Sequence, residues 1–300
     1  MSFSGNTKAE LCRLPINRHC CALAESYGVL LYSNTFNAEM IKIITESREF
    51  AQRLPKLFRK AFGLEFDLLP EDKPGKLTLV ITDAQKICRI FEAYGYTPKS
   101  SLALHVNLGV LEEECCRLSF LRGAFLAGGS VTDPEKRYHL EITTSHFPVS
   151  RETYALMREL EFQPKDTVRG GNSVLYFKQS NYIEDFLTLI GAPVCAMGIM
   201  EAKVEKDLRN GVNRRVNCET ANLTKVVDAA QEQLAAIRQL ERSGVLQELP
   251  AKLQQTAALR MAYPEATLQE LAEMTEPPLT KSAMNHRMRK LIAEAQKGEQ

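Results

Sequence analysis

Seven polar side chains near the end of the chain have the types and spacing that read duplex DNA: Lys281, Ser282, Asn285, His286, Arg287, Arg289 and Lys290. Asparagine matches the edge of adenine, arginine and lysine match guanine or phosphate, and serine serves either. They share one helical stretch with Ala283, Met284, Met288, Leu291 and Ile292, an apolar side that must pack on other helices. Asn285 and Arg287 carry more weight than His286, which a plain surface position also explains. The competing reading is a solvated helix face charged for solubility. A second basic group, Lys203, Lys206, Arg209, Arg214 and Arg215, is interspersed with Glu201, Glu205 and Asp207. Arg209, Arg214 and Arg215 are its secondary DNA-contact candidates. Asparagines at 210, 213, 217 and 222 fit turns and caps as readily as contacts.

The tail elements that must position the first set are short. A helix over 251–262 stops before Tyr263-Pro264, because the residue before proline avoids helical geometry. The next helix has Thr267 as N-cap and Glu270 three residues on, a capping box. Glu276-Pro277-Pro278 then turns the chain into the third helix, capped by Thr280 or Ser282. That order predicts a helix-turn-helix whose third element enters a DNA groove. Upstream, 222–240 reads as a helical linker with Leu223, Val226, Val227, Ala230, Leu234 and Ile237 in one stripe.

Three hundred residues, 44% hydrophobic and 25% charged, suffice for two domains with cores. A net charge of +1 means that nucleic-acid binding must come from local basic faces. No segment reads as a signal peptide or membrane span, so a cytoplasmic protein with no membrane partner is expected. The eight cysteines include two doublets, Cys20-Cys21 and Cys115-Cys116, inside helical patterns. Neighbours on a helix point about 100° apart, so a single doublet is a poor chelate. Buried, reduced thiols and no metal are the expectation.

The first two hundred residues contain a repeat. Cys20-Cys21-x-Leu23-x-x-x-x-Gly28 returns as Cys115-Cys116-x-Leu118-x-x-x-x-Gly123. Alternating strands follow at 40–45 and 139–144, then helices at 49–62 and 149–160. Turns at Lys73-Pro74-Gly75 and Arg169-Gly170-Gly171 lead into strands 77–82 and 173–178. Each copy closes with a helix ending in glycine, Gly95 or Gly191, suited to a left-handed cap.

The stretch Leu121-Arg122-Gly123-Ala124-Phe125-Leu126-Ala127-Gly128-Gly129-Ser130 resembles the LAGLIDADG signature of homing endonucleases, whose paired helices each offer one metal-binding carboxylate. The resemblance implies an α+β fold, a duplicated αββαββα saddle, ahead of the all-α helix-turn-helix. Segments 1–110 and 111–220 are the two copies, 221–249 the linker and 250–300 the DNA-binding domain. The acid positions hold Ser33 and Gly128, neither of which ligates Mg²⁺. No catalytic residue, metal or cofactor is therefore expected. A nuclease using Glu25, Glu112, Glu113 or Glu114 is disfavoured, since these acids lie near the starts of their helices and the metal site belongs at the other ends.

Over nearly its full length the chain resembles the WhiA family of sporulation regulators. The match rests on the segment Phe120-Leu121-Arg122-Gly123 through Val131, on Tyr138-His139-Leu140-Glu141-Ile142, on Asn213-Arg214-Arg215-Val216-Asn217-Cys218-Glu219, and on Thr280-Lys281-Ser282-Ala283-Met284-Asn285-His286-Arg287. The resemblance implies a transcriptional regulator of sporulation, cell division or chromosome segregation. Its partners would be double-stranded DNA and another transcription factor or a cell-division protein. A scaffold whose saddle binds such a protein, with the tail only locating it on the chromosome, is the alternative. Lys42, Lys76 and Lys178 alternate with apolar residues, but His139 and Glu141 dilute the charge, so the saddle is expected to bind DNA more weakly than an endonuclease does.

Overall fold

The computed structural model describes residues 2–70, 75–97 and 104–297. The chain divides into two units, Met1–Lys206 and Asp207–Gln300, each with its own core. The first holds helices α1 (Phe3–Cys12), α2 (His19–Leu31), α3 (Arg48–Phe62), α4 (Ala84–Ala93), α5 (Glu114–Gly128), α6 (Phe147–Glu159) and α7 (Ser180–Ile190). Strands β1 (Thr35–Phe36), β2 (Ile41–Thr45) and β3 (Leu77–Ile81) form one antiparallel sheet. Strands β4 (Gly129–Val131), β5 (Leu140–Thr144), β6 (Lys165–Arg169) and β7 (Asn172–Phe177) form a second, in the order β4-β5-β7-β6.

At the centre α2 packs along α5. Residues Glu25 to Leu31 are all buried, as befits a helix enclosed on every side. The contact is reciprocal: a Cβ on Gly28 would lie 2.1 Å from the Phe120 carbonyl oxygen, and one on Gly123 would lie 2.0 Å from that of Glu25. No side chain fits at either place.

The duplicated register matches the repeat read from sequence. Ile41 pairs with Ile81 as Leu140 pairs with Phe177, and Thr45 with Leu77 as Thr144 with Ser173. Gly95 and Gly191 both have positive φ, 74° and 105°. Gly170 and Gly171, also at positive φ, make the two-residue turn between β6 and β7. Of its counterpart in the first copy only Gly75 is described; Lys73 and Pro74 lie outside the described residues. The copies differ at one edge. Where the second has β6, the described part of the first has a single bridge, Leu68 to Val80.

Helix α8 (Pro193–Arg242) is continuous, so the asparagines at 210, 213, 217 and 222 are helical residues rather than turns or caps, and no break marks position 222. Leu223, Val226 and Val227 of the expected linker stripe are exposed, whereas Ile237 is buried. The end of α8 joins α9 (Ala251–Ala262), α10 (Leu268–Glu273) and α11 (Lys281–Lys297) around Ile237, Leu240, Leu253, Leu271, Met284 and Met288. No described helix is long and apolar enough to cross a membrane.

Candidate nucleic-acid interface

Helix α11 is anchored by Met284, Met288, Leu291 and Ala295, all buried. At about 100° per residue these lie within one narrow sector, and the opposite sector holds Ser282, His286 and Arg289, with Lys290 beside them. All four are exposed, as is Lys281. Asn285 and Arg287 are half-buried on the flanks, and Arg287 reaches the Lys252 carbonyl oxygen at 3.5 Å. Exposure therefore ranks His286 above Asn285 and Arg287, the reverse of the weighting from residue type. Among the described residues Lys281, Arg289 and Lys290 make no ion pair. The cap of α11 is Thr280, whose hydroxyl accepts the Ala283 N–H at 3.2 Å; Ser282 lies inside the first turn with its side chain at the surface.

The elements beneath hold this helix by polar contacts as well as apolar ones. Thr267 and Glu270 form the capping box on α10. Thr275, buried after α10, donates to the Ala272 carbonyl oxygen at 2.8 Å and fixes the start of the turn. Arg260 of α9 is fully buried. Its guanidinium donates to the Gln233 side-chain oxygen on α8 at 3.0 Å and to the Ala266 carbonyl oxygen at 2.6 Å, just before the α10 cap. Burial lowers its pKa, but these acceptors replace water around the charge.

The basic group on α8 splits in two. Lys203 approaches Glu184 at 3.9 Å, and Lys206 donates to the Pro134 carbonyl oxygen while lying 4.6 Å from the Tyr138 ring centre. Arg209, Arg214 and Arg215 stay exposed.

On the second sheet, Arg137, His139, Glu141, Arg169, Tyr176 and Lys178 line one shallow cavity. Glu141 accepts from His139 at 3.1 Å and from Arg169 at 3.2 Å. Burial pushes its carboxyl upward, yet His139 and Arg169 outweigh that and hold it below the ordinary range. The acid thus neutralises part of the cationic face. In the first sheet the same position is Lys42, beside Ile44 and Val80.

At the lower ends of α2 and α5 stand Ser33 and Gly128. The Ser33 hydroxyl donates to the Leu30 carbonyl oxygen at 2.8 Å. A Cβ on Gly128 would lie 2.4 Å from the Thr143 carbonyl oxygen, so a side chain has no room there. The terminal carbonyls are occupied too: Leu31 accepts from Thr144 at 3.1 Å, and Leu126 accepts from the Lys8 ammonium at 3.0 Å. Burial lowers Lys8 to about 8, still charged at neutral pH.

Glu25 lies mid-helix rather than near the start of α2, a correction to the sequence reading. It accepts two bonds from Arg53, at 2.6 and 3.0 Å, and one from Arg122 at 3.3 Å. Glu113 is the N-cap residue of α5, Glu114 opens its first turn, and Glu112 is exposed. Sequence reasoning missed the Glu25 network and Lys8. It also judged each cysteine doublet alone, whereas the four sulfurs of Cys20, Cys21, Cys115 and Cys116 all lie within 4.8 Å of one another. The identical offset of each doublet from Gly28 and Gly123 was the available signal.

Two family descriptions match in chain order: the WhiA LAGLIDADG-like domain over residues 117–209 and the WhiA C-terminal HTH domain over 212–295. The probable cell division protein WhiA of Ruminiclostridium cellulolyticum is 39% identical, covering 97% of this chain and 96% of that one. Its counterpart from Alkaliphilus metalliredigens is 37% identical over 99% of both chains. The full-length DUF199/WhiA structure from Thermatoga maritima covers 99% of each chain with a TM-score of 0.61 at 23% identity, a likeness of fold. An isolated N-terminal LAGLIDADG domain of DUF199/WhiA gives a TM-score of 0.51 at 21% identity, covering 63% of this chain and 92% of that one. With two curated relatives this similar end to end, and both domains in order, the chain belongs to the WhiA family.

Proposed function

We propose that the protein is a sequence-specific DNA-binding transcriptional regulator in which α11 enters the major groove and the LAGLIDADG-like domain performs no cleavage. The observation carrying this reading is the outer face of α11, where Ser282, His286, Arg289 and Lys290 are exposed on a helix held by a packed core. Polar groups near the N-terminus of such a helix meet base edges, and its cations meet phosphates. Arg209, Arg214 and Arg215 are proposed as secondary phosphate contacts. Two modules joined in one chain raise each other's effective concentration on DNA, so a weak second contact still adds to affinity.

Against cleavage stand Ser33 and Gly128 at the acid positions and the Lys8 ammonium at the end of α5. A divalent cation there would find no carboxylate at either signature position and would face the charge of Lys8. The relatives' name supports a role in cell division, and the reading extends to sporulation or chromosome segregation, on the nucleoid, with a transcription or division protein as further partner.

Genome-wide occupancy of the intact chain is the test, beside Ser282→Ala/Arg289→Ala and Asn285→Ala/Arg287→Ala. Discrete sites, lost most completely in the first variant, are expected. Diffuse occupancy, or sites unchanged in both variants, would overturn base reading by α11.

A further inference from the structure

We propose that Cys20, Cys21, Cys115 and Cys116 form a tetrathiolate site for one zinc ion, which clasps the two copies of the repeat at the starts of α2 and α5. Each doublet occupies the second and third residues of its helix, so the packing of α2 along α5 brings two equivalent pairs face to face. One doublet cannot surround an ion, because its side chains diverge around the helix. Two doublets from facing helices can, since each supplies two corners of a tetrahedron.

The dimensions fit one ion. Zinc–sulfur bonds of about 2.3 Å in a tetrahedron place the sulfurs about 3.8 Å apart. Here all four lie within 4.8 Å, and all are free thiols, so small side-chain adjustments complete the shell. The sulfurs are too close to bracket a multi-iron cluster, whose metal and sulfide core must sit between them. Four soft sulfurs in a tetrahedral arrangement select zinc over the hard cations.

Around the sulfurs, Arg18 and two helix N-termini favour negative charge, and the carboxylates of Glu112, Glu113 and Glu114 at the start of α5 oppose it. Binding converts Zn²⁺ and four thiols into a complex of net charge −2 and releases four protons. Neither helix has a side-chain cap; the N-cap residues are Arg18 and Glu113. The positive ends of the two helix dipoles lie beside the sulfurs, while the Cys116 N–H is already bonded to the Glu113 carbonyl oxygen at 2.9 Å. Arg18 places a guanidinium nitrogen 3.8 Å from the Cys115 sulfur. Cys116 is buried and Cys20 exposed, which gives the ion an entry side.

Four protein ligands leave no open position, so the ion is structural rather than catalytic. It joins residues 94 positions apart, Cys21 and Cys115, where closure removes much freedom from the unfolded chain.

The full chain, reduced and stripped by chelator, is titrated with Co²⁺ and then Zn²⁺. The expected result is one equivalent of Co²⁺ with intense thiolate-to-metal charge-transfer bands and tetrahedral d–d bands, displaced by one equivalent of Zn²⁺, with a rise in Tm. Cys20→Ser/Cys115→Ser should lose the bands and the Tm response, while Cys88→Ser, outside the cluster, keeps both. Far-ultraviolet circular dichroism checks that the double variant is folded; should it fail, the single exposed change Cys20→Ser must still weaken Co²⁺ binding at least tenfold. Absence of a tetrahedral thiolate spectrum in the reduced chain overturns the proposal. So does a spectrum that survives the double variant, or disulfide formation on oxidation with no metal uptake when reduced.

Discussion

The lower end of the α2–α5 pair and the outer face of α11 are both polar, but their cations are used in opposite ways. In the first, Lys8 is tied to the Leu126 carbonyl and Gly128 is pressed against Thr143; higher on the same pair, Arg53 and Arg122 close on Glu25. On α11, Lys281, Arg289 and Lys290 have no such partners among the described residues. A charged group that already satisfies its own protein has little left for a ligand. The comparison separates polar residues that hold the fold from polar residues left over for something else.

The largest expected effect lies on the closed side. Glu25→Gln leaves Arg53 buried without its anion and should lower stability by about 3–5 kcal/mol, read by urea unfolding. An unchanged midpoint would show that the network is not closed. Gly128→Asp restores an acid at the position and is expected to cost about 1–3 kcal/mol through overpacking while giving no Mg²⁺-dependent cleavage. Cleavage by that variant would break the comparison outright.

On the open side, Arg289→Ala should cost about 1–3 kcal/mol of specific affinity if it reads a base. Replacing Lys281, Arg289 and Lys290 together should flatten the salt dependence by about 0.9 for each phosphate that is no longer neutralised. Glu141→Gln lies between the two regimes, since it releases Arg169 and His139 on the second sheet. In the chain lacking the three α11 cations it should raise DNA affinity by less than about 1 kcal/mol. Lys8→Met is read in the pH profile of stability rather than in affinity. The Lys8 amine loses its proton near pH 8 in the folded chain and near 10.5 when unfolded, so the unfolded state binds more protons between those values. That contribution makes stability rise with pH across the window, and Lys8→Met should show a flatter profile there than wild type.

The repeat was legible because both copies preserve the offset from cysteine doublet to packing glycine and the closing glycines at 95 and 191. The α10 cap was legible because Thr267 and Glu270 are local partners. The weighting on α11 was not, because Arg287 is half-covered by reaching the Lys252 carbonyl of α9, a packing that residue type on α11 cannot reveal. Lys8 escaped because α1 has no clear apolar periodicity. The four-sulfur cluster escaped because it arises only when the two copies pack against each other.

The reciprocal contact of Gly28 and Gly123 has a consequence for direction. Neither copy can drift in volume at the crossing, so both keep the same backbone approach. Their outward faces differ: Lys42 in one copy stands where Glu141 stands in the other, and one sheet has an edge strand that the described part of the other reduces to a bridge. Two identical subunits would present the same face after a half-turn and could not tell one end of a partner from the other. This fused pair has a left and a right, so a ligand laid across it would meet two different ends.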